Sequence, residues 1–479
     1  NKNVLIIGGS GAGKSRFSCI PNLMEMSGSY IVLDSKRELL RTTGEMFRQN
    51  GYVVKVLNLI DPTQSDFFNP FEYVRTDEDI IKIAHNLMKN TSENGTSKGD
   101  DQFFEDMAEY LLIALMYAVY YEGLPGEKNF GTVLDLFHEL EFREEDESFK
   151  STLHYFFMKL EQDKPNHPAL FYWHGAINCA GKTQKSIQVS LERHLAKFNA
   201  KAIRNLVSYD NLELQELGER KTVLFACIPD NDNTFNFIVS QLYSTLFDVL
   251  YYQADHKHFN EGQRLPVPVS FLMDEFYNVA VPENFTNIIG TCRSRNIFLT
   301  VYLQDREQLT ARFEKENKIV FSQFDIFLYL GGNSQETMEF ISKALGEETI
   351  DSRSYGESVG TSSSSSKNDS SISIALMSIA QLRRMKKSKC LILVKGEDPI
   401  IDNKYDSLHH PNVDQTQLKT APKDLKEFVV HQSTGLDLST ITDNDELQKY
   451  KIRDVDYSQL DEIEEYSAAT WLMKKGVSI

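Results

Sequence analysis

The residues best equipped for chemistry open the chain: Gly8-Gly9-Ser10-Gly11-Ala12-Gly13-Lys14-Ser15. A glycine, four residues and then Gly-Lys-Ser is the spacing of a phosphate-cradling P-loop. Its glycines let the backbone take positive φ and approach phosphates without a Cβ in the way. Lys14 would reach the β- and γ-phosphates of ATP, and the Ser15 hydroxyl would sit on Mg2+. A second pair, Asp274-Glu275, closes the apolar run Val269 to Met273 in the manner of a Walker B element. Asp274 would hold Mg2+ with Ser15, and Glu275 would polarise the attacking water. Gln304 closes the next apolar run, Ile297 to Leu303, where a polar side chain can sense a γ-phosphate. Arg293 or Arg295 can offer positive charge to a transition state in a neighbouring subunit, or simply compensate a helix end. These types in this order predict hydrolysis of ATP with Mg2+.

Such groups need rigid elements beneath them. Val4 to Ile7 reads as a buried parallel strand leading into the P-loop, with further strands at Tyr30 to Asp34 and Tyr52 to Leu57 separated by helical stretches. Alternation of this kind predicts a doubly wound α/β sheet, with ligands at the carboxyl ends of its strands. Asp34, Ser35 and Lys36 fall at one of those ends and serve equally as site residues or as a polar turn. From about residue 71 to 220 the apolar spacing becomes helical, with Asn90 to Asp101 as an exposed loop and Tyr110 to Tyr121 as a buried helix. Helices are expected at Thr132 to Leu140, Ser148 to Gln162, Lys182 to Phe198 and Ala202 to Val207. The interval from Lys14 to Asp274 is too long for a loop within a compact core, so this block reads as an inserted all-α domain. Strands resume at Thr222, giving a layout of 1–70 (nucleotide-binding, first part), 71–220 (helical insert), 221–410 (nucleotide-binding, second part) and 411–479 (polar, acidic tail). The serine-rich run Ser358 to Ser373 and the tail are expected to be flexible.

The 479 residues carry a formal net charge of −18, which argues against a generally basic, nucleic-acid-coating surface. Two basic runs can still contact phosphate backbones: Lys182, Lys185, Arg193, His194, Lys197, Lys201 and Arg204, and Arg383-Arg384-Met385-Lys386-Lys387-Ser388-Lys389. The five cysteines are scattered, which suits a reducing compartment and argues against a zinc site. No apolar run reaches the roughly 18 residues of a membrane span. The chain is therefore expected to be soluble by itself, although it opens without an initiator Met and a preceding segment is expected in the parent protein.

The combination resembles the cytoplasmic region of type IV secretion coupling proteins, the TraG/TraD-like conjugative DNA-transfer ATPases. The stretches that carry it are Gly8 to Ser15, Asp34-Ser35-Lys36 with Glu38, Phe68-Asn69-Pro70, Lys182-Thr183, Leu272 to Phe276, Arg293 through Gln304, and Leu345-Gly346. The resemblance implies a RecA-like nucleotide-binding domain with an all-α insertion, assembled as a ring hexamer at the cytoplasmic face of the membrane. It implies partners as well: relaxase and accessory relaxosome proteins, a single DNA strand bound without sequence preference, secretion-channel proteins, and the membrane through a segment absent from this chain. By position Arg293, rather than Arg295, matches the family's arginine acting in trans, and Gln304 its post-strand glutamine. The sequence departs from the pattern at Arg37, where glycine is common, and at Arg295-Asn296, where small residues or glycine are common.

Two other readings compete. One is a different hexameric P-loop helicase or translocase, separable by whether DNA-stimulated hydrolysis comes with strand separation. The other is a cargo-recruitment platform in which nucleotide sets assembly and hydrolysis is incidental.

Overall fold

The computed structural model describes residues 2–92, 100–142, 149–279, 281–282, 284–313, 316–358 and 364–419. Among these, nine strands form one sheet: β1 (Val4–Ile7), β2 (Ser29–Asp34), β3 (Val53–Asn58), β4 (Thr222–Cys227), β5 (Val269–Met273), β6 (Ile297–Leu303), β7 (Ile326–Tyr329), and, beyond a separate hairpin of β8 (Glu347–Ser358) and β9 (Ser364–Ala375), β10 (Lys389–Val394) and β11 (Ile400–Asn403). Their order across the sheet is β11-β10-β7-β1-β6-β5-β2-β4-β3. The seven strands from β7 to β3 are parallel, and β10 and β11 are added antiparallel at one edge.

The strand sequences are unbroken apolar runs because both faces are covered. Leu5, Ile7, Ile31, Leu33 and Leu57 face one core. Their neighbours Ile6, Tyr30, Val32 and Val56 face the other, against Ile20, Leu23, Leu40 and Phe47. That second layer is α1 (Ile20–Met24), which continues a wide turn over Ser15–Cys19, and α2 (Glu38–Gln49).

Between β3 and β4 stand α3 (Asp77–Thr91), α4 (Asp100–Glu122), α5 (Phe130–His138), α6 (Thr152–Asp163), α7 (Pro168–Ile177), α8 (Gly181–Leu195) and α9 (Lys201–Leu206). The hub is α4, whose stretch Leu111 to Val119 is fully buried because neighbours surround it on every side. The apolar core of this block is continuous with one face of the sheet. Two linkers join the block to the sheet, and Asp210 ties them: it accepts from the Tyr73 hydroxyl at 2.6 Å and from the Asn69 amide at 3.3 Å.

Three elements differ from the sequence expectation. Helix α7 was not anticipated, although Pro168 occupies its first turn, where no amide donor is needed, and His167 caps it by accepting from the Ala169 amide at 3.2 Å. Most of the serine-rich run lies in β8–β9, paired from Glu347↔Ala375 to Ser358↔Ser364, rather than forming a flexible stretch. Within the run only Val359 and Ile372 are apolar, so it gives no period-2 signal. Residues 359–363 lie outside the described residues. Finally, residues 411–419 are packed: Val413 and Thr416 are buried, and the Gln417 amide donates to the Thr42 carbonyl at 3.0 Å. The remainder of the expected tail, 420–479, lies outside the described residues.

Candidate functional site

The carboxyl ends of β1, β5 and β6 meet at one edge of the sheet, and all the nucleotide-directed residues except Arg293 are there. Gly8 donates to the Leu303 carbonyl at 3.0 Å, which docks the start of the P-loop on the end of β6. Gly9 donates to the Gly331 carbonyl at 2.8 Å. A Cβ on Gly9 would come within 3.2 Å of Gly332 Cα, so a glycine is needed where two backbones pass this closely. Gly11 and Gly13 have φ of +73° and +86°, the left-handed conformations that open the loop. Ser10 and Gly11 are exposed at its crest, and Ala12 closes a turn by donating to the Gly9 carbonyl at 3.0 Å. Lys14 Nζ folds back to the Gly8 carbonyl at 3.0 Å, across the mouth of the loop. Ser15 follows, half-buried, at the start of the helical turn.

Asp274 and Glu275 leave the end of β5, two strands from β1, roughly 10 Å away at the usual inter-strand spacing. Asp274 is buried, and burial pushes its pKa up to about 6; the Glu275 charge pushes the same way, and Lys14 opposes both. Glu275 sits at φ +52°, a conformation uncommon outside glycine, and its amide donates to Asp274 Oδ1 at 3.1 Å. The site thus holds a buried carboxylate with a second acid beside it. A divalent cation shared between Asp274 and the Ser15 hydroxyl would complete it, and hard oxygen donors suit Mg2+. Gln304 follows β6, exposed beside the P-loop docking point, with its amide donating to Gln308 Oε1 at 2.9 Å.

Asp34 has a structural task. It is buried at the end of β2 and accepts from the amides of Lys36 (3.3 Å), Glu38 (3.0 Å) and Leu40 (2.8 Å), closing the start of α2. Lys36 reaches Asp230 at 3.0 Å. Arg37 adopts φ +58° and Asn296 φ +68°. Both positions, where glycine or a small residue is common in the resembling family, are thus left-handed in this chain with a non-glycine residue in place.

Arg293 and Arg295 stand at the opposite, amino-terminal edge, ahead of β6. Arg293 Nη1 donates to both oxygens of Asp325, at 2.6 and 2.7 Å. Arg295 forks onto Asp255 with two bonds of 2.8 Å and lies 4.4 Å from the Tyr251 ring centroid. Neither arginine reaches the P-loop of its own chain, because the length of β6 separates them.

The two basic runs also part ways. In the first, Arg193 and the buried His194 pair with Glu105, Arg204 pairs with Asp135, and Lys197 donates to the Thr91 carbonyl. In the second, Arg383, Arg384, Lys386 and Lys387 are exposed, just ahead of β10. Since β10 runs antiparallel to β7, that run lies at the same edge as the P-loop.

Sequence reasoning missed Lys404, which follows β11 and donates from Nζ to the Ala12 carbonyl at 3.0 Å. No local pattern signals a contact between residues 392 positions apart.

A mostly parallel sheet with a P-loop after β1 and paired acids after β5 defines the P-loop nucleoside-triphosphatase fold class. Within that class, the chain belongs to the type IV secretory system conjugative DNA transfer family, whose model matches residues 1–426. Protein VirD4 of Rhizobium radiobacter is 25% identical over 410 residues, covering 83% of this chain and 55% of that protein. Conjugal transfer protein TraG of the same organism is 22% identical over 414 residues, covering 83% of this chain and 60% of that protein. The chain thus spans little more than half the length of the curated relatives it matches. The plasmid coupling protein TrwB, solved in complex with ADP and Mg2+, superposes with a TM-score of 0.58 at 13% identity, over 84% of each chain. That likeness carries the RecA-like α/β fold. Among the described residues, no helix is long and apolar enough to cross a membrane.

Proposed function

We propose that this chain is the motor portion of a conjugative coupling protein, which hydrolyses ATP with Mg2+ to deliver relaxase-bound DNA to a type IV secretion channel. The observation that carries the reading is the placement of the Gly8–Ser15 loop and the buried Asp274 at one sheet edge. Lys14 exchanges its bond to the Gly8 carbonyl for the phosphates. Backbone amides of Gly11 to Ser15 cradle the same phosphates, and Gly11 and Gly13 keep that concavity open. Ser15 and Asp274 hold Mg2+, which supplies charge neutralisation at the phosphates. Glu275 orients a water and accepts its proton, and Gln304 registers the γ-phosphate.

Arg293 serves a neighbouring copy's site, the role that its position in the resembling family implies, and a hexameric ring is the proposed form. The exposed run Arg383 to Lys387 is the proposed contact for single-stranded DNA, since most of the first basic run is engaged within the protein. Relaxosome proteins are received by the helical block, and the parent protein acts at the cytoplasmic face of the membrane. Membership in a conjugative DNA-transfer family supports this over a free helicase or a passive recruitment platform. The test is ATP hydrolysis by the 479-residue chain with and without single-stranded DNA. Stimulation by DNA, with loss of at least about 100-fold in Lys14→Ala and Glu275→Gln, is expected. Hydrolysis that survives both substitutions would refute the assigned site.

A further inference from the structure

The P-loop is held by a part of the chain that its motif does not include. After β11 the chain crosses the outer side of the Ser15–Cys19 turn and α1, fastened at several points. The Lys404 amide donates to the Ser388 carbonyl at 2.8 Å. Arg16 forks onto Asp406 with bonds of 3.1 and 2.7 Å. His410 Nε2 stands 3.1 Å from Glu25 Oε1, and Asn412 donates to the Met24 carbonyl at 2.8 Å. Val413 fixes the far end in the core.

From this strap Lys404 extends to the loop itself. Its ammonium donates to the Ala12 carbonyl at 3.0 Å and lies 5.4 Å from the centroid of the Phe17 ring. Phe17 in turn donates from its amide to the Gly13 carbonyl at 2.8 Å, so the contacts of Lys404 bracket Gly13. Partial burial lowers the pKa of Lys404, with Cys390 opposing. In a trans peptide the carbonyl and the following amide point in opposite directions. A cation that draws the Ala12 carbonyl toward the strap therefore turns the Gly13 amide toward the phosphate side of the loop. Gly13, at φ +86° and with no Cβ, has little else to hold that peptide plane.

We propose that Lys404 is a positioning residue for phosphate binding, acting through the Ala12–Gly13 peptide to hold one P-loop donor in its binding direction. This rests on the nucleotide-binding reading above. It also assigns the strap a task beyond covering α1: it carries the Lys404 ammonium to the Ala12 carbonyl.

Equilibrium binding of MgADP to the 479-residue chain, with thermal melting alongside, tests it. Lys404→Met keeps the aliphatic stem over Phe17 and removes the donor, and Lys404→Arg keeps a donor. Asp406→Asn weakens the strap's fastening without touching the loop carbonyl. The expected result is affinity weakened about tenfold in Lys404→Met, restored to within about threefold in Lys404→Arg, and unchanged in Asp406→Asn, with melting temperatures alike. Wild-type affinity in Lys404→Met would overturn the inference while leaving the P-loop site intact. Equal weakening in Lys404→Met and Asp406→Asn with a common fall in melting temperature would also overturn it, reducing Lys404 to a fastening of the strap. Absence of MgADP binding by the wild-type chain would instead remove the nucleotide-binding reading itself, and this inference with it.

Discussion

The two edges of the parallel sheet handle charge in opposite ways. At the amino-terminal edge, Arg293 and Arg295 each meet a carboxylate, Asp325 and Asp255, within 2.6–2.8 Å. At the carboxyl edge, Asp274 is buried with another acid, Glu275, beside it. Nothing in the geometry of a sheet requires this asymmetry. Adjacent acids without a salt bridge persist where a ligand relieves them, and paired charge persists where the folded chain alone must be stable. On the proposed reading the carboxyl edge is therefore the working edge, and the amino-terminal edge is structural within one chain.

Substituting the two arginines sharpens that contrast. Arg293→Ala is expected to reduce steady-state ATP hydrolysis by at least about 100-fold at concentrations where the chain assembles, with nucleotide affinity retained. Arg295→Ala is expected to leave hydrolysis within about threefold of wild type and to lower stability by about 1 kcal/mol, the scale of a partly exposed ion pair with a ring contact. Hydrolysis assays across protein concentration, paired with denaturant titrations, read both. Equal effects of the two substitutions on turnover would erase the distinction between them.

Much of this layout was legible in the sequence. Val4 to Ile7, Thr222 to Cys227 and Ile297 to Leu303 announce themselves because strands buried on both faces must be apolar throughout. The P-loop and the Asp274-Glu275 pair are local motifs whose chemistry depends on adjacent residues. What was hidden depends on distance or on weak patterning. The exposed edge strand β11 presents only Ile400 and Ile401 as apolar residues, and most of the β8–β9 hairpin is polar in sequence. Asp34 was open to a site role, and only its three amide bonds identify it as the cap of α2. The contact of Lys404 with Ala12 has no local signature at all, since chain topology alone brings the two together.

A smaller effect probes the junction between the sheet and the helical block. Burial pushes the Asp210 carboxyl up to about 7, from an ordinary 3.8. Its folded-state pKa lies above the unfolded value, so the folded chain binds the extra proton between those limits. Stability from this group therefore rises as pH falls through 7. From pH 8 to pH 6 the gain is about 1 kcal/mol, read by thermal melts. Asp210→Asn is expected to remove most of that slope above pH 7, while Asp34, Asp66 and Asp274, each raised to about 6 by burial, preserve a gain at lower pH.

The central claim, that the carboxyl edge is a Mg-nucleotide site, is tested most directly by titrating ATP into the wild-type chain and Lys14→Ala, with and without Mg2+. The account predicts saturable binding strengthened by Mg2+ in the wild type, and at least about 100-fold weaker binding in Lys14→Ala with an unchanged melting temperature in the absence of nucleotide. Equal affinity in the two chains, with no dependence on Mg2+, would contradict it.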